Sequence, residues 1–280
     1  MSLVVAILLS VLSAVLAFGG SALQALEARR VPSSQALKAS LLGTLLRRPL
    51  WLLGTGVNIV AFGIQLAALS VSSLAIVQPI FAVGLIVLAV IGVTKLGEKL
   101  GAREYAGGAL IILGLAALAL VAPRHNHLPL SWGFGAPTLA ALCAVVLLLA
   151  AMRVTGRSDG LAASCAAGLL YAWVGIGGTV LGEAFSRSDW TRVAVWGIGT
   201  IASAVLAVLA EMTALQTWPV TRSKPVVFVL QTIFPAFLAP FFADAGFGPM
   251  HGAPFVVSLL VVAGGSIVIA SSSAVAEAGG

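Results

Sequence analysis

Charged residues are scarce in this sequence. Of its 280 residues only 9% are Asp, Glu, Lys or Arg, whereas a soluble domain carries about 25%. Such a chain cannot cover itself with a water-compatible surface, so its main solvent must be lipid. Because lipid offers no hydrogen bonds, the backbone must satisfy itself within helices or a closed barrel. Apolar residues make up 60% of the chain and form long unbroken runs, which predicts an all-α, polytopic membrane helix bundle.

Residues that bind metals or carry out nucleophilic catalysis are also few. There are three histidines and two cysteines. His125 and His127 lie two apart in a predicted outer loop without a neighbouring cysteine or carboxylate, a poor metal site. The run Gly54-Thr55-Gly56 is not followed by the Lys-Ser/Thr of a phosphate-binding loop. We therefore predict no metal site, no cofactor and no enzymatic activity.

Apolar runs long enough to cross the hydrocarbon need about 20 residues, and nine candidates are present. They are Leu3–Leu26, Leu50–Leu69, Leu74–Val93, Tyr105–Val121, Phe134–Ala151, Gly160–Leu181, Val193–Leu215, Val220–Phe242 and Pro254–Ile269. The segment 31–48 has leucines at helical spacing, but Lys38, Arg47 and Arg48 interrupt it. We predict an amphipathic helix on the membrane surface here, with a tenth span as the alternative.

Lysine and arginine are distributed unevenly between the two sides. With nine spans, 12 of the 15 basic residues fall on one side, and Arg124, Arg187 and Arg192 fall on the other. The positive-inside rule then puts the N-terminus outside and the C-terminus inside a cytoplasmic (inner) membrane. The net charge of +6 lies between apolar runs, which fits contact with anionic lipid headgroups rather than with nucleic acid.

Two parts of the chain share a pattern of a long span, a tight connection and a span with an early proline. The first contains Pro79 and the second contains Pro225, which gives an offset of 146 residues. With this offset Gln65 falls on Glu211, so two polar positions inside apolar spans coincide; likewise Gln78 falls on Lys224. The two units start five spans apart and are therefore inverted. We predict an inverted repeat with halves at 1–122 and 134–272, a recurrent transporter plan.

The motifs of the first half resemble a known family. They are Ile76-Val77-Gln78-Pro79, then Leu96-Gly97-Glu98-Lys99-Leu100, then a final helix with Gly107, Gly108 and Gly114. Together they resemble the drug/metabolite transporter (DMT) superfamily, EamA-like proteins included. The short loop before Trp51 and the nine-span count are most similar in layout to the NIPA-like magnesium transporter branch. In the second half, residues 243–247 replace the Gly-Glu loop. The resemblance implies transport of small solutes or ions by alternating access.

Glu211 is the one carboxylate predicted inside a span, and ionisable groups there mark pathways or relays. Lys224, across the tight connection, has a similar predicted depth, so we expect the two to pair. For Glu211 the alternative is a structural ion pair or a side chain that reaches the interface. For Arg222 and Lys224 it is simple anchoring at the positive side, and for Asn58 and Gln65 it is plain hydrogen bonding between helices. The predicted pathway residues are Glu211, Lys224, Gln65, Asn58, Gln78, Gln231 and Arg222, with Pro79 and Pro225 as helix kinks.

These observations predict a secondary membrane transporter, possible in two forms that differ in solute. The first carries a small metabolite or an amphipathic or anionic compound, with proton coupling through Glu211. The second carries magnesium or another divalent cation, although one carboxylate with amides is a poor ligand set for magnesium. A non-transporting scaffold or accessory subunit is the alternative of another class. The expected partners are the solute and membrane lipids, with a homodimer as one form of assembly and no nucleic acid.

Overall fold

The computed structural model describes residues 2–71, 77, 80–121, 145–146, 149–150, 152, 159–242 and 252–271, and every regular element in them is a helix. We number the α-helices in chain order. They are α1 (Ser2–Ala28), α2 (Ala39–Leu45), α3 (Pro49–Val71), α4 (Gly84–Lys95), α5 (Ala102–Val121), α6 (Gly160–Ser186), α7 (Trp190–Thr217), α8 (Val220–Phe242) and α9 (Gly252–Ala270).

Five helices are long and apolar enough to cross a membrane within this part of the chain. They lie in α1, α3, α6, α7 and α9, and α4 belongs to a shorter apolar helix, Ile80–Lys95. The chain is thus a multi-pass helical membrane protein, in agreement with its composition. The predicted span at 134–151 and the start of the predicted span at 74–93 fall largely outside the described residues.

Helix ends follow from local chemistry. Pro49 is the first residue of α3. A backbone N–H at this position has no acceptor within the helix, so proline loses no hydrogen bond there. Asp189 caps α7 by accepting a hydrogen bond from the backbone N–H of Arg192 at 3.1 Å. Trp218 is extended and Pro219 follows it, so α8 begins at once after α7. The tight connection predicted between these two helices is therefore present.

Glycines set the closest helix contacts. A Cβ on Gly20 of α1 would lie 2.7 Å from the carbonyl oxygen of Gly54 on α3, and a Cβ on Gly107 of α5 would lie 2.7 Å from that of Gly265 on α9. Only glycine allows backbones to approach this closely. In the α6–α7 contact a glycine is also needed, because a Cβ on Gly177 would clash with the side chain of Thr200.

The segment 31–48 is not one amphipathic helix, and that prediction is wrong. A 3₁₀ turn at Ser33–Gln35 and α2 are separated by Leu37, whose φ of 54° lies in the left-handed region. The Leu37 N–H donates to Thr213 Oγ1 at 3.0 Å, which stabilises this break. Leu41 and Leu45 are fully buried in the protein core. The periodic leucines therefore pack against the bundle rather than into the lipid surface.

The helices define two ends of the bundle. One end gathers the C-termini of α1, α4 and α7 with the N-termini of α3, α5, α6 and α8. Most of the described lysines and arginines lie there, and we call it the basic end. The opposite end, called the far end, contains the α6–α7 connection with Arg187 and Asp189.

Candidate functional site

Two adjoining hollows form a polar cavity between α1, α3, α6, α7 and α8. Their volumes are about 270 and about 200 Å³. Both are lined by Asn58, Phe62, Tyr171 and Lys224, so they form one continuous space. The first hollow adds Glu211, Gln24 and Thr55, and the second adds Gln65, Gln231 and Ser21.

Glu211 and Lys224 form an ion pair in the wall of this cavity. Glu211 is 2% exposed, and its second carboxylate oxygen accepts a hydrogen bond from the Tyr171 hydroxyl at 2.8 Å. The tight connection between α7 and α8 accounts for the pairing. Glu211 lies about 9 Å from the end of α7 and Lys224 about 6 Å from the start of α8, at about 1.5 Å per residue. A buried pair of this kind carries a large desolvation penalty, so it contributes little net stability.

A chain of hydrogen bonds fixes the amides on the opposite wall. The Asn58 Nδ2 donates to Gln24 Oε1 at 3.0 Å, and the Gln24 Nε2 donates to Thr55 Oγ1 at 3.0 Å. The Thr55 hydroxyl in turn donates to the Trp51 carbonyl at 3.0 Å. Within the described residues, the Asn58 Oδ1 is buried and has no hydrogen-bond partner. The Asn58 Oδ1 packs against α1 at Gly20, where a Cβ would lie 2.6 Å from it.

An aromatic cluster borders the second hollow. Phe18 of α1, Phe81 and Phe228 of α8 meet with ring centroids 5.6 to 6.1 Å apart. Gln231, one turn beyond Phe228 on α8, and Gln65 of α3 provide the polar part of this wall. Both hollows therefore combine apolar side chains with a few polar ones.

The predicted pathway residues divide into three groups. Glu211, Lys224, Asn58, Gln65 and Gln231 all line the cavity. Arg222 does not line it and forms an ion pair with Glu104 at 2.9 Å. Gln78 and Pro79 lie outside the described residues. Pro225 is buried within α8, which continues from Val220 to Phe242 around it.

Four polar lining residues were missed by sequence reasoning. Gln24 and Ser21 lie one turn apart on α1, and Thr55 and Tyr171 lie on α3 and α6. Gln24 could have been predicted from the sequence. It is an amide near the end of an apolar run, and that run could not be assigned to the aqueous surface. Thr55 and Ser21 gave no comparable signal, since a serine or threonine inside a helix can bond its own backbone.

Glu98 closes the basic end above the cavity. It follows Gly97, whose φ of 67° favours glycine, at the end of α4. Its carboxylate accepts hydrogen bonds from the backbone N–H groups of Val220 at 2.9 Å and Thr221 at 3.0 Å, and from the Thr221 hydroxyl. Arg29, just beyond the end of α1, completes an ion pair with it. The negative charge thus caps the N-terminus of α8, where the helix dipole stabilises it. We call Glu98, Arg29, Val220 and Thr221 together the Glu98 clasp.

Two further buried carboxylates pair with arginines at the same end. Glu27 accepts from Arg30 at 2.6 Å and from Arg48 at 2.8 Å, which joins α1 to the segment before α3. Glu104 accepts from Arg222, which joins α5 to α8. These pairs and the Glu98 clasp form a belt of ion pairs. Gln24 and Lys224 lie about one helical turn inside this belt, so the belt lies between the cavity and the helix ends.

No group of three or more His, Cys, Asp or Glu side chains suited to a metal ion is found among the residues that the structure describes.

Comparison with known proteins finds one distant relative. The uncharacterized protein Cgl0250/cg0304 of Corynebacterium glutamicum is 23% identical to this chain over 236 residues, which cover 81% of each chain. No family model matches the sequence, and no solved structure matches it. The similarity extends over most of both chains, and the name of the relative states no activity.

Proposed function

We propose that this protein is a secondary transporter that moves a small solute by alternating access and binds it in the polar cavity beside Glu211 and Lys224. The carrying observation is the buried ion pair that lines a cavity inside an apolar bundle. Ionisable groups at such positions are costly and are rare unless they serve a pathway or relay. Replacing a buried pair by apolar side chains is often neutral or stabilising, so stability alone does not account for its presence.

Helix packing supports the proposed inverted repeat. The pair α1–α3 corresponds to α6–α7, and α3 and α7 run in opposite directions. With the offset of 146 residues, Gly54 falls on Thr200, and each lies at a close contact with a glycine of the paired helix. Gln65 falls on Glu211, and both line the cavity. A binding site at the interface of two inverted units is the usual plan of such transporters.

The resemblance to the drug/metabolite transporter superfamily belongs to this proposal. Its Gly-Glu motif has a physical role here, because Gly97 supplies the turn and Glu98 caps α8. If the basic end faces the cytoplasm, as the distribution of lysine and arginine indicates, the belt of ion pairs is the closed cytoplasmic gate. Transport then requires that this belt open while the far end closes.

Proton coupling through Glu211 fits the same geometry. Protonation would remove the charge that holds Lys224 and leave the Tyr171 hydroxyl as the neighbouring hydrogen-bond partner. Lys224 would then be released towards the cavity. A divalent cation is the weaker solute candidate. The nearest carboxylate in the cavity, Glu211, already faces an ammonium group, and a dication placed there would meet the repulsion of that group.

The test compares variants in which a charged side chain is replaced by an amide. Thermal-shift measurements in detergent against a panel of metabolites and ions identify a ligand, and uptake into proteoliposomes with and without a pH gradient measures its flux. We expect Glu211→Gln and Lys224→Gln to lose binding and flux. Asp189→Asn, at the far end and outside the cavity, is the matched control and should retain both. Wild-type flux in Glu211→Gln at every pH would refute the proposal.

A further inference from the structure

One wall of the cavity consists of residues that also face outward. Ile59 and Phe62 of α3 line the first hollow, yet they are 67% and 60% exposed. They lie about 15 and 20 Å from the start of α3, at about 1.5 Å per residue, near the middle of a hydrocarbon layer of about 30 Å. Val60 and Leu66 on the same helix are exposed as well. At this depth an outward-facing residue contacts lipid, so the cavity borders the bilayer there.

The opposite edge of this opening lies on α7. Val208 lines the same hollow and is about 14 Å from the end of α7, a depth close to that of Ile59. Nearer the basic end the two helices are joined, because Trp51 of α3 donates to the Met212 sulfur at 3.1 Å. The opening between Ile59, Phe62 and Val208 is called the α3–α7 portal.

The helix that borders the portal, α3, has few packed neighbours among the described residues. Of the five membrane-spanning helices, α3 has the smallest buried share, 17% compared with 56% for α6. Its extensive packing within the described residues is against α1 alone. Movement of α3 at the portal is therefore opposed by its contact with α1 and by the Trp51–Met212 hydrogen bond.

We propose that the cavity opens sideways into the bilayer through the α3–α7 portal and that its solute is a membrane amphiphile with a headgroup of no net charge. The headgroup lies beside Glu211, Lys224 and Asn58, and the apolar chain passes between Ile59, Phe62 and Val208 into the lipid. This inference rests on the proposed transport function and names its substrate class.

The charge of the cavity wall determines the charge of the headgroup. Among the described lining residues, Glu211 and Lys224 are the charged ones, and their charges sum to zero. A headgroup with a net charge would leave one excess charge in a medium of low dielectric, which is unfavourable. A zwitterionic or uncharged headgroup avoids this.

The experiment places a fluorophore at the portal and uses lysophosphatidylcholine, a single-chain zwitterionic amphiphile, as the probe. Cys143→Ala and Cys165→Ala remove the native thiols, and bimane is attached to Phe62→Cys at the portal or to Val60→Cys on the lipid face. Both positions are exposed, so the labels should be tolerated. The protein is reconstituted in phosphatidylglycerol vesicles, because a zwitterionic matrix lipid would itself compete for the site. The quenchers are lysophosphatidylcholine with a doxyl group on its chain, and aqueous iodide.

We expect a saturable quenching by the doxyl lipid at position 62 that is absent at position 60, with little quenching by iodide at either. Unlabelled lysophosphatidylcholine should reverse the saturable quenching at position 62. Glycerophosphocholine, which lacks the chain, and lysophosphatidylglycerol, which carries a net charge, should compete poorly. Lys224→Gln should weaken the saturable component about tenfold, the loss expected for one charge-assisted hydrogen bond.

Strong iodide quenching at position 62 without a saturable lipid component would overturn the portal. Equal competition by lysophosphatidylglycerol would overturn the assignment of a neutral headgroup. The proposed transport function is tested separately, because a water-soluble solute whose flux depends on Glu211 would leave it intact while the lipid proposal fails. Conversely, a lipid-specific portal with Glu211-independent flux would contradict the role assigned to the ion pair.

Discussion

The Glu98 clasp joins three parts of the bundle, and its removal has a calculable effect. The Glu98 side chain is buried and accepts hydrogen bonds from two backbone N–H groups of α8 and from the Thr221 hydroxyl, and it pairs with Arg29. Glu98→Ala would leave the N–H groups of Val220 and Thr221 without their acceptor. Each hydrogen bond to a charged group is worth about 1.5–3 kcal/mol.

The partial exposure of Arg29 limits the loss. Its side chain is 29% exposed, so water can solvate the guanidinium once the carboxylate is gone. Breaking a fully buried pair costs about 3–5 kcal/mol, and we therefore take the lower bound, about 3 kcal/mol, for Glu98→Ala. In a protein of this size about 1 kcal/mol corresponds to about 2–4 °C in Tm. The expected decrease in Tm is thus about 6–12 °C. Glu98→Gln keeps one acceptor oxygen and should lose about half as much.

The assay is thermal unfolding of the purified protein in detergent, followed by fluorescence-detected size exclusion. Lys99→Ala is the matched control, because Lys99 is the adjacent residue and is exposed. The double variant Arg29→Ala/Glu98→Ala should be less destabilised than the sum of the two single variants, since the residues interact directly. A Tm for Glu98→Ala within about 2 °C of that for Lys99→Ala would show that the clasp does not hold α8 as argued.

Three further predictions use other parts of the fold. Gly107→Ala should lower Tm, because its Cβ would meet the α9 backbone, whereas Gly108→Ala, with open space at its Cβ, should raise it through helix propensity of about 1 kcal/mol; the opposite order would contradict the α5–α9 contact. Arg222→Ala should destabilise the protein by freeing its buried partner on α5 but leave solute affinity unchanged, and a loss of affinity at unchanged stability would return Arg222 to the pathway. Single cysteines at Lys38→Cys and Ser188→Cys should react with an impermeant maleimide from the cytoplasmic and the outer side respectively, and labelling of both from one side would refute the assignment of the basic end to the cytoplasm.

Much of the cavity was predictable because lipid restricts where a polar side chain can lie. Asn58, Gln65 and Gln231 lie well inside apolar runs, where an unsatisfied amide is expensive. Such side chains must contact one another or line a cavity. Polar residues inside apolar runs are therefore predicted to lie close together in the folded bundle. Glu211 and Lys224 follow the same reasoning, with the short α7–α8 connection supplying the equal depth.

Residues near helix ends were less predictable. Arg29 and Arg222 look like simple positive-side anchors in the sequence, because charges at span ends can reach the interface. Their partners, Glu98 and Glu104, lie far away along the chain, and no local pattern encodes these pairs. Leu37 shows the same limitation. Its helical spacing with Leu41 and Leu45 predicted a face in contact with lipid, whereas the left-handed break and the burial of this face depend on a hydrogen bond to α7 that only the folded bundle provides.

The belt of ion pairs imposes a condition on the proposed transport cycle. Opening the basic end must break Glu98 from Arg29 and Glu104 from Arg222, unless the paired residues move together. Reversing a population of 1:99 to 99:1 requires about 5.5 kcal/mol of differential affinity for the open state. The loss of about 3 kcal/mol given above for Glu98→Ala is the cost of leaving its buried partners unpaired, and it is smaller than this requirement. Lys224 lies one helical turn from Thr221. A ligand that displaces Lys224 from Glu211 therefore acts on the same first turns of α8 that Glu98 holds, and the binding site and the gate are coupled through one helix.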